Sequence, residues 1–189
     1  IIIYSFYIFL NMIIDRLYWT TDKVILGLYS GAAAVSIYSI GAQFCSYFMQ
    51  LSTAISGVFL PKITALNVGE DKENVLSDLF LKIARIQFVI LFFTLIGFIL
   101  FGKEFIILWA GPEYAIAYEV ALLVMIPSII PLSQNIGIVI LQAKNMHKFR
   151  SITYLVIAIL NVALSVALVK KYGIIGCTVA TGVSILIGQ

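Results

Sequence analysis

The 189-residue chain is 62% hydrophobic and 11% charged, with 12 Lys and Arg against 9 Asp and Glu, a formal net charge of +3. Soluble domains are about half apolar and about a quarter charged, so this composition excludes one and points to an integral membrane protein. The small net charge gives no reason to expect a nucleic-acid partner. One His and two distant Cys cannot build a metal site; Cys45 and Cys177 read as small buried hydrophobes inside apolar spans.

No initiator Met or charged n-region is present, so no signal peptide is recognised. The chain opens and stops inside apolar runs, which reads as part of a longer protein with the last helix cut short. The first helix is expected at residues 1–28, and it is unusual for a span. Asp15, Arg16, Asp22 and Lys23 lie in this apolar segment, and a charge at the centre of a bilayer costs roughly 2.5–3.5 kcal/mol. Asn11, Asp15, Tyr18 and Asp22 recur at steps of four, three and four, forming one helical stripe. Arg16, Thr20 and Lys23 form a second stripe about 100° away. Neighbours such as Asp15 and Arg16 do not face each other on a helix, so each needs a partner on another helix, in water or on a ligand. Asp22 and Lys23 either share that inward face or sit at the headgroups and orient the span.

Residues 24–61 carry no charge and are interrupted at Ser30-Gly31, which predicts a tight hairpin and a second helix over 33–60 ended by Pro61. Ser36, Ser39, Gln43, Ser46, Gln50, Thr53 and Gly57 line one face of it. Hydroxyls and small residues also serve tight helix packing in membranes; Gln43 and Gln50 favour a stripe that packs in part and lines a wet cleft in part. Residues 71–84 read as an amphipathic helix at the membrane surface leading into a third span over 85–101, with Trp109 as an interfacial anchor.

A fourth span is expected over 118–142. Pro127 and Pro131 each remove a backbone donor, so this helix is expected to bend or open, with Gln134 and Asn135 on the same face. Irregular backbone at membrane depth persists only where protein or water satisfies it. His147 sits among loop cations and reads as solvated. The fifth span, 151–169, carries Tyr154, Asn161 and Ser165 on one face, and Lys170-Lys171-Tyr172-Gly173 turns into a sixth over 174–189. The fold class is therefore all-α and polytopic, with about six transmembrane helices. Lys62, Lys72, Lys82, Arg85, Lys144, Lys148 and Arg150 fall on one side and Lys103, Lys170 and Lys171 on the other, so the first side is expected to be cytoplasmic. No nucleotide-binding loop or catalytic set is apparent, which favours a transporter over an enzyme.

Asp22-Lys23-Val24-Ile25-Leu26-Gly27, Gly31-Ala32-Ala33-Ala34-Val35, Phe59-Leu60-Pro61-Lys62, the stretch Gly102 to Gly111, Asn161 in its apolar run and Tyr172-Gly173-Ile174-Ile175-Gly176 occur here in order. Together they resemble the polysaccharide transporter family of O-antigen and teichoic-acid flippases, within the multidrug/oligosaccharidyl-lipid/polysaccharide exporter superfamily. The resemblance covers the whole chain. It implies two six-helix lobes around a cavity that opens alternately to each side, with this chain as the C-terminal lobe and the N-terminal lobe missing. It further implies a multi-pass protein of the cytoplasmic membrane that moves undecaprenyl-pyrophosphate-linked oligosaccharide for surface polysaccharide synthesis. Arg16 would meet the pyrophosphate, while Asn, Gln and Ser groups would meet the sugar. Asp15 or Asp22 would carry a coupling H+ or Na+, without any other cofactor. The competing expectations are a drug/cation antiporter of the same superfamily, a membrane enzyme of envelope glycan assembly, and a non-transporting scaffold.

Overall fold

The computed structural model describes the backbone of residues 2–66, 72–143 and 147–188, and the side chains of these except 2–8, 10–19, 64–66, 72–73, 142–143, 147–151 and 188. Among the described residues there is no strand. The elements are α1 (Ile2–Val58), α2 (Leu60–Leu66), α3 (Lys72–Ala110), a single 3-10 turn at Pro112–Tyr114, α4 (Ile116–Ser133), α5 (Ile136–Ala143) and α6 (His147–Gly188). Helices are expected of so apolar a chain, because lipid offers no partner for a free backbone amide or carbonyl.

Two of these helices are hairpins. At Gly31 the backbone takes φ 82 and ψ 178, and at Gly173 φ 57 and ψ −132. Both lie in the region that side chains disfavour, so each glycine reverses its helix almost without a loop. Each hairpin thus supplies two antiparallel arms. Four helical stretches, Thr20–Val58, Asn74–Ala110, Pro112–Ser133 and Ile152–Ile187, are long and apolar enough to cross a membrane. The reversals at Gly31 and Gly173 divide the first and last of these, giving six helical arms among the described residues. The chain is a multi-pass, all-α membrane protein.

The boundaries depart from the sequence expectation in three instructive places. Pro61 does not end a helix. The second arm of α1 stops at Val58, Phe59 turns, and Pro61 sits in the first turn of α2, where its missing amide hydrogen has no helical partner to lose. The amphipathic segment and the third span are one helix, α3, which continues through Lys103 and Glu104 to Ala110, since nothing in its sequence breaks the hydrogen-bond ladder. The fourth span is divided, but after the prolines: α4 runs through Pro127 and Pro131 and opens at Gln134-Asn135. There the amides of Gln134 and Asn135 reach back only three residues, to the carbonyls of Pro131 and Leu132.

Packing is closest where glycine lets backbones meet, as is usual for helices in lipid. Gly41 of α1 lies against Val120 and the Ala117 carbonyl of α4, and Gly182 of α6 against the Leu123 carbonyl of α4. Tyr118 donates to the Ile99 carbonyl at 2.9 Å, tying α4 to α3. A first core joins Cys45, Phe48, Leu91, Leu95, Val124, Met125, Ile129 and Leu132. A second, around Leu26, Tyr38, Val120, Val169 and Cys177, lies between the two hairpins. A third gathers Ile63, Leu76, Ile83, Ile136 and Val139, from α2, the start of α3 and α5.

Candidate functional site

Asp22 is fully buried on the first arm of α1. Its position follows from the two hairpins. Asp22 and Tyr38 flank Gly31, while Ser165 and Thr181 flank Gly173, each seven to nine residues away. At 1.5 Å per residue these side chains lie about 10–13 Å from the turns, near the middle of a hydrocarbon core about 30 Å thick. Four arms therefore bring polar groups to one depth.

Every arm contributes a donor or the acceptor. Tyr38 donates to Asp22 Oδ2 at 2.7 Å and Thr181 to the same oxygen at 2.5 Å. Ser165 donates to Oδ1 at 3.1 Å, and the Cys177 thiol approaches Oδ1 at 3.4 Å. Asn161 Nδ2 donates to Thr181 Oγ1 at 3.3 Å, extending the network by one shell. A carboxylate removed from water loses tens of kcal/mol of solvation in the idealised limit, so these donors are what allow it there. All of them are neutral: among the described residues no cation pairs with Asp22. One acceptor is left over. Asn161 is fully buried, and its Oδ1 has no hydrogen-bond partner among the described residues. The cluster thus holds a carboxylate, several hydroxyl oxygens and a spare amide oxygen, a set of hard oxygen donors of the kind that receives a proton or a small cation.

The other residues singled out in the sequence are distributed as follows. The side chains of Asn11, Asp15 and Arg16 lie outside the described residues. Asp22 and Lys23 part company: Asp22 faces the helix bundle and Lys23 is exposed, so the two do not balance each other's charge. Asn161 and Ser165 do share an inward face and reach the Asp22 network directly. Gln43, Gln50 and Thr53 are exposed and Ser46 is half-buried, a polar stripe not covered by the described residues. It is partly self-satisfied, since Gln50 donates to Ser46 Oγ at 3.1 Å and Thr53 to the Met49 carbonyl at 3.0 Å. Gln134 is exposed and Asn135 half-buried, both at the break between α4 and α5 and apart from Asp22. Pro127 and Pro131 lie inside α4.

Tyr38, Cys177 and Thr181 were not legible as partners of Asp22. Cys177 is buried as expected, but it touches the carboxylate and so is more than a filler. The available signal was the near-mirror spacing of polar residues about Gly31 and Gly173, which becomes meaningful only once both glycines are known to reverse the chain.

The fold and this site define a polytopic membrane protein with a carboxyl group buried among four helical arms and held by neutral partners. The chain belongs to the polysaccharide biosynthesis protein family, whose model matches residues 1–119. It is similar to two proteins of Haloferax volcanii. One is the probable flippase AglR, 27% identical over 171 residues, which are 89% of this chain and 36% of AglR. The other is the probable low-salt glycan biosynthesis flippase Agl15, 24% identical over 186 residues, which are 96% of this chain and 38% of Agl15. The chain therefore spans a little over a third of the length of these relatives. No solved structure matches it.

Proposed function

We propose that this chain is the C-terminal lobe of a flippase that moves lipid-linked oligosaccharide across the cytoplasmic membrane by alternating access, driven by an ion bound at Asp22. Membership of the polysaccharide biosynthesis family and likeness to two probable flippases support the substrate class. The observation that carries the coupling role is Asp22 itself, buried among neutral donors, with Asn161 joined to it through Thr181 and its Oδ1 without a partner among the described residues. In this reading a proton would sit on the carboxylate, or a Na+ would draw on Asp22, Asn161 Oδ1 and the hydroxyl oxygens of Ser165 and Thr181. Either way the bound ion neutralises the charge that the lobe otherwise holds at mid-membrane, so occupancy changes how tightly the four arms pack. The exposed stripe through Gln43 and Gln50, with Gln134 and Asn135, would face the glycan path and a second lobe of the whole protein. Arg16, on the same helix as Asp22, would meet the pyrophosphate.

The test uses the full-length gene in its host. Its deletion should strand lipid-linked oligosaccharide on the cytoplasmic face and abolish the surface glycan, and the Asp22→Asn variant should fail to complement although it inserts normally. Full complementation by Asp22→Asn would refute the coupling role. The drug/cation antiporter remains the second reading, because a buried acidic side chain with neutral partners also suits a cationic substrate. Normal glycan export with new sensitivity to cationic drugs would select it.

A further inference from the structure

A separate polar layer lies in the lobe, away from Asp22. Gln87 of α3 is fully buried, and its Nε2 donates to the Ser52 carbonyl at 2.9 Å, to Ser52 Oγ at 3.3 Å and to Ser56 Oγ at 2.7 Å. Ser52 in turn donates to the Leu132 carbonyl of α4 at 2.6 Å. Gln87 Oε1 is buried without a partner among the described residues. This amide and two hydroxyls separate two apolar clusters. On one side lie Phe48, Leu91 and Leu132; on the other lie Ile63, Ile83 and Ile136.

Two of the three helices that cross this layer are broken as they leave it. The Ser56 carbonyl accepts from Phe59, the turn between α1 and α2. The Leu132 carbonyl, besides Ser52, accepts from Asn135 in the turn between α4 and α5. Only α3 runs through without interruption. Beyond the layer, α2, α5 and the start of α3 share their own apolar cluster, with Phe80 against Gly137. An apolar seam would weld the two parts, because close-packed cores do not deform continuously. Hydroxyls that rotate, and an amide with a spare acceptor, permit more than one set of bonds.

We infer that the Gln87–Ser52–Ser56 layer is a pivot, about which α2, α5 and the first turns of α3 swing as one unit against the rest of the lobe, with α3 as the flexing axle. The unit lies at the opposite end of the spans from the Gly31 and Gly173 turns, so its movement would open or close one membrane face. This inference does not depend on what the protein transports.

The experiment is pulsed electron–electron distance measurement on the full-length protein in lipid nanodiscs, with spin labels on a keto amino acid so that Cys45 and Cys177 stay untouched. One pair, at Lys62 and Tyr47, spans the layer; a second, at Lys62 and Lys82, lies within the unit. The spanning pair should show two distance populations and the internal pair one. Ser56→Ala removes one acceptor and should shift the ratio of the two populations by about fivefold, the worth of a typical hydrogen bond. Gln87→Leu, which joins the two apolar clusters, should leave a single population. One population for the spanning pair in the unaltered protein, two for the internal pair, or an unmoved ratio in Ser56→Ala would each overturn the pivot.

Discussion

At the scale of single residues, Asp22 is stable in the bundle because protein donors replace the water it has lost, and each donor can be removed in turn. Thr181 is the sharpest case, since it serves Asp22 Oδ2 and accepts from Asn161. Thr181→Val keeps the shape but leaves both partners short of a bond, at a cost of about 1–3 kcal/mol. Reversible unfolding in mixed detergent micelles should record that loss, and Thr181→Ser should recover most of it. Asp22→Asn removes the charge while keeping the size. The purified full-length protein should then lose any rise in melting temperature produced by Na+, whereas unaltered protein should gain one. An identical ion response in both would exclude Asp22 as the carrier.

At the scale of helices, glycine acts here in two different ways. Gly31 has open space around an added Cβ, but its φ of 82 is one that other residues avoid. Gly31→Ala should therefore cost about 1–3 kcal/mol through backbone strain alone. Gly182 has ordinary helical geometry, but a Cβ there would lie 2.6 Å from the Leu123 carbonyl oxygen. Gly182→Ala should push α6 off α4 and cost about 1–3 kcal/mol through overpacking. The two are separable: a crosslink between α4 and α6 should form less readily in Gly182→Ala and normally in Gly31→Ala. The same scale explains the misplaced boundaries. Pro61, expected to end a helix, opens one, and Pro127 and Pro131 lie inside α4, which opens only after them, because a proline's effect depends on which turn it occupies.

At the scale of the whole molecule, six arms put the turns at Gly31 and Gly173 at one end of the bundle and α2 and α5 at the other. Lys62 and Lys170 should therefore label from opposite sides. With single cysteines at these positions, a membrane-impermeant maleimide should reach the Lys170 position in intact cells and the Lys62 position only after permeabilisation, if the cation-rich side is cytoplasmic. Labelling of both from outside would break the topology.

Composition and hydrophobic runs alone were sufficient for the all-α, membrane-spanning class, because a bilayer leaves few ways to satisfy a backbone. They also located the reversals at Gly31 and Gly173, singled out Asp22 as costly in lipid and placed Asn161 on one face with Ser165. The sequence could not say which way Asp22 turned relative to Lys23, because neighbouring residues on a helix face different surroundings and only packing decides which surroundings are wet. Nor could it join Asp22 to Tyr38, Ser165, Cys177 and Thr181, which lie up to 159 positions apart. That juxtaposition depends on two hairpins docking against each other, and the Gln87 layer likewise on three helices meeting at one depth. Periodicity records the face of a single helix; the partner of that face belongs to the tertiary structure.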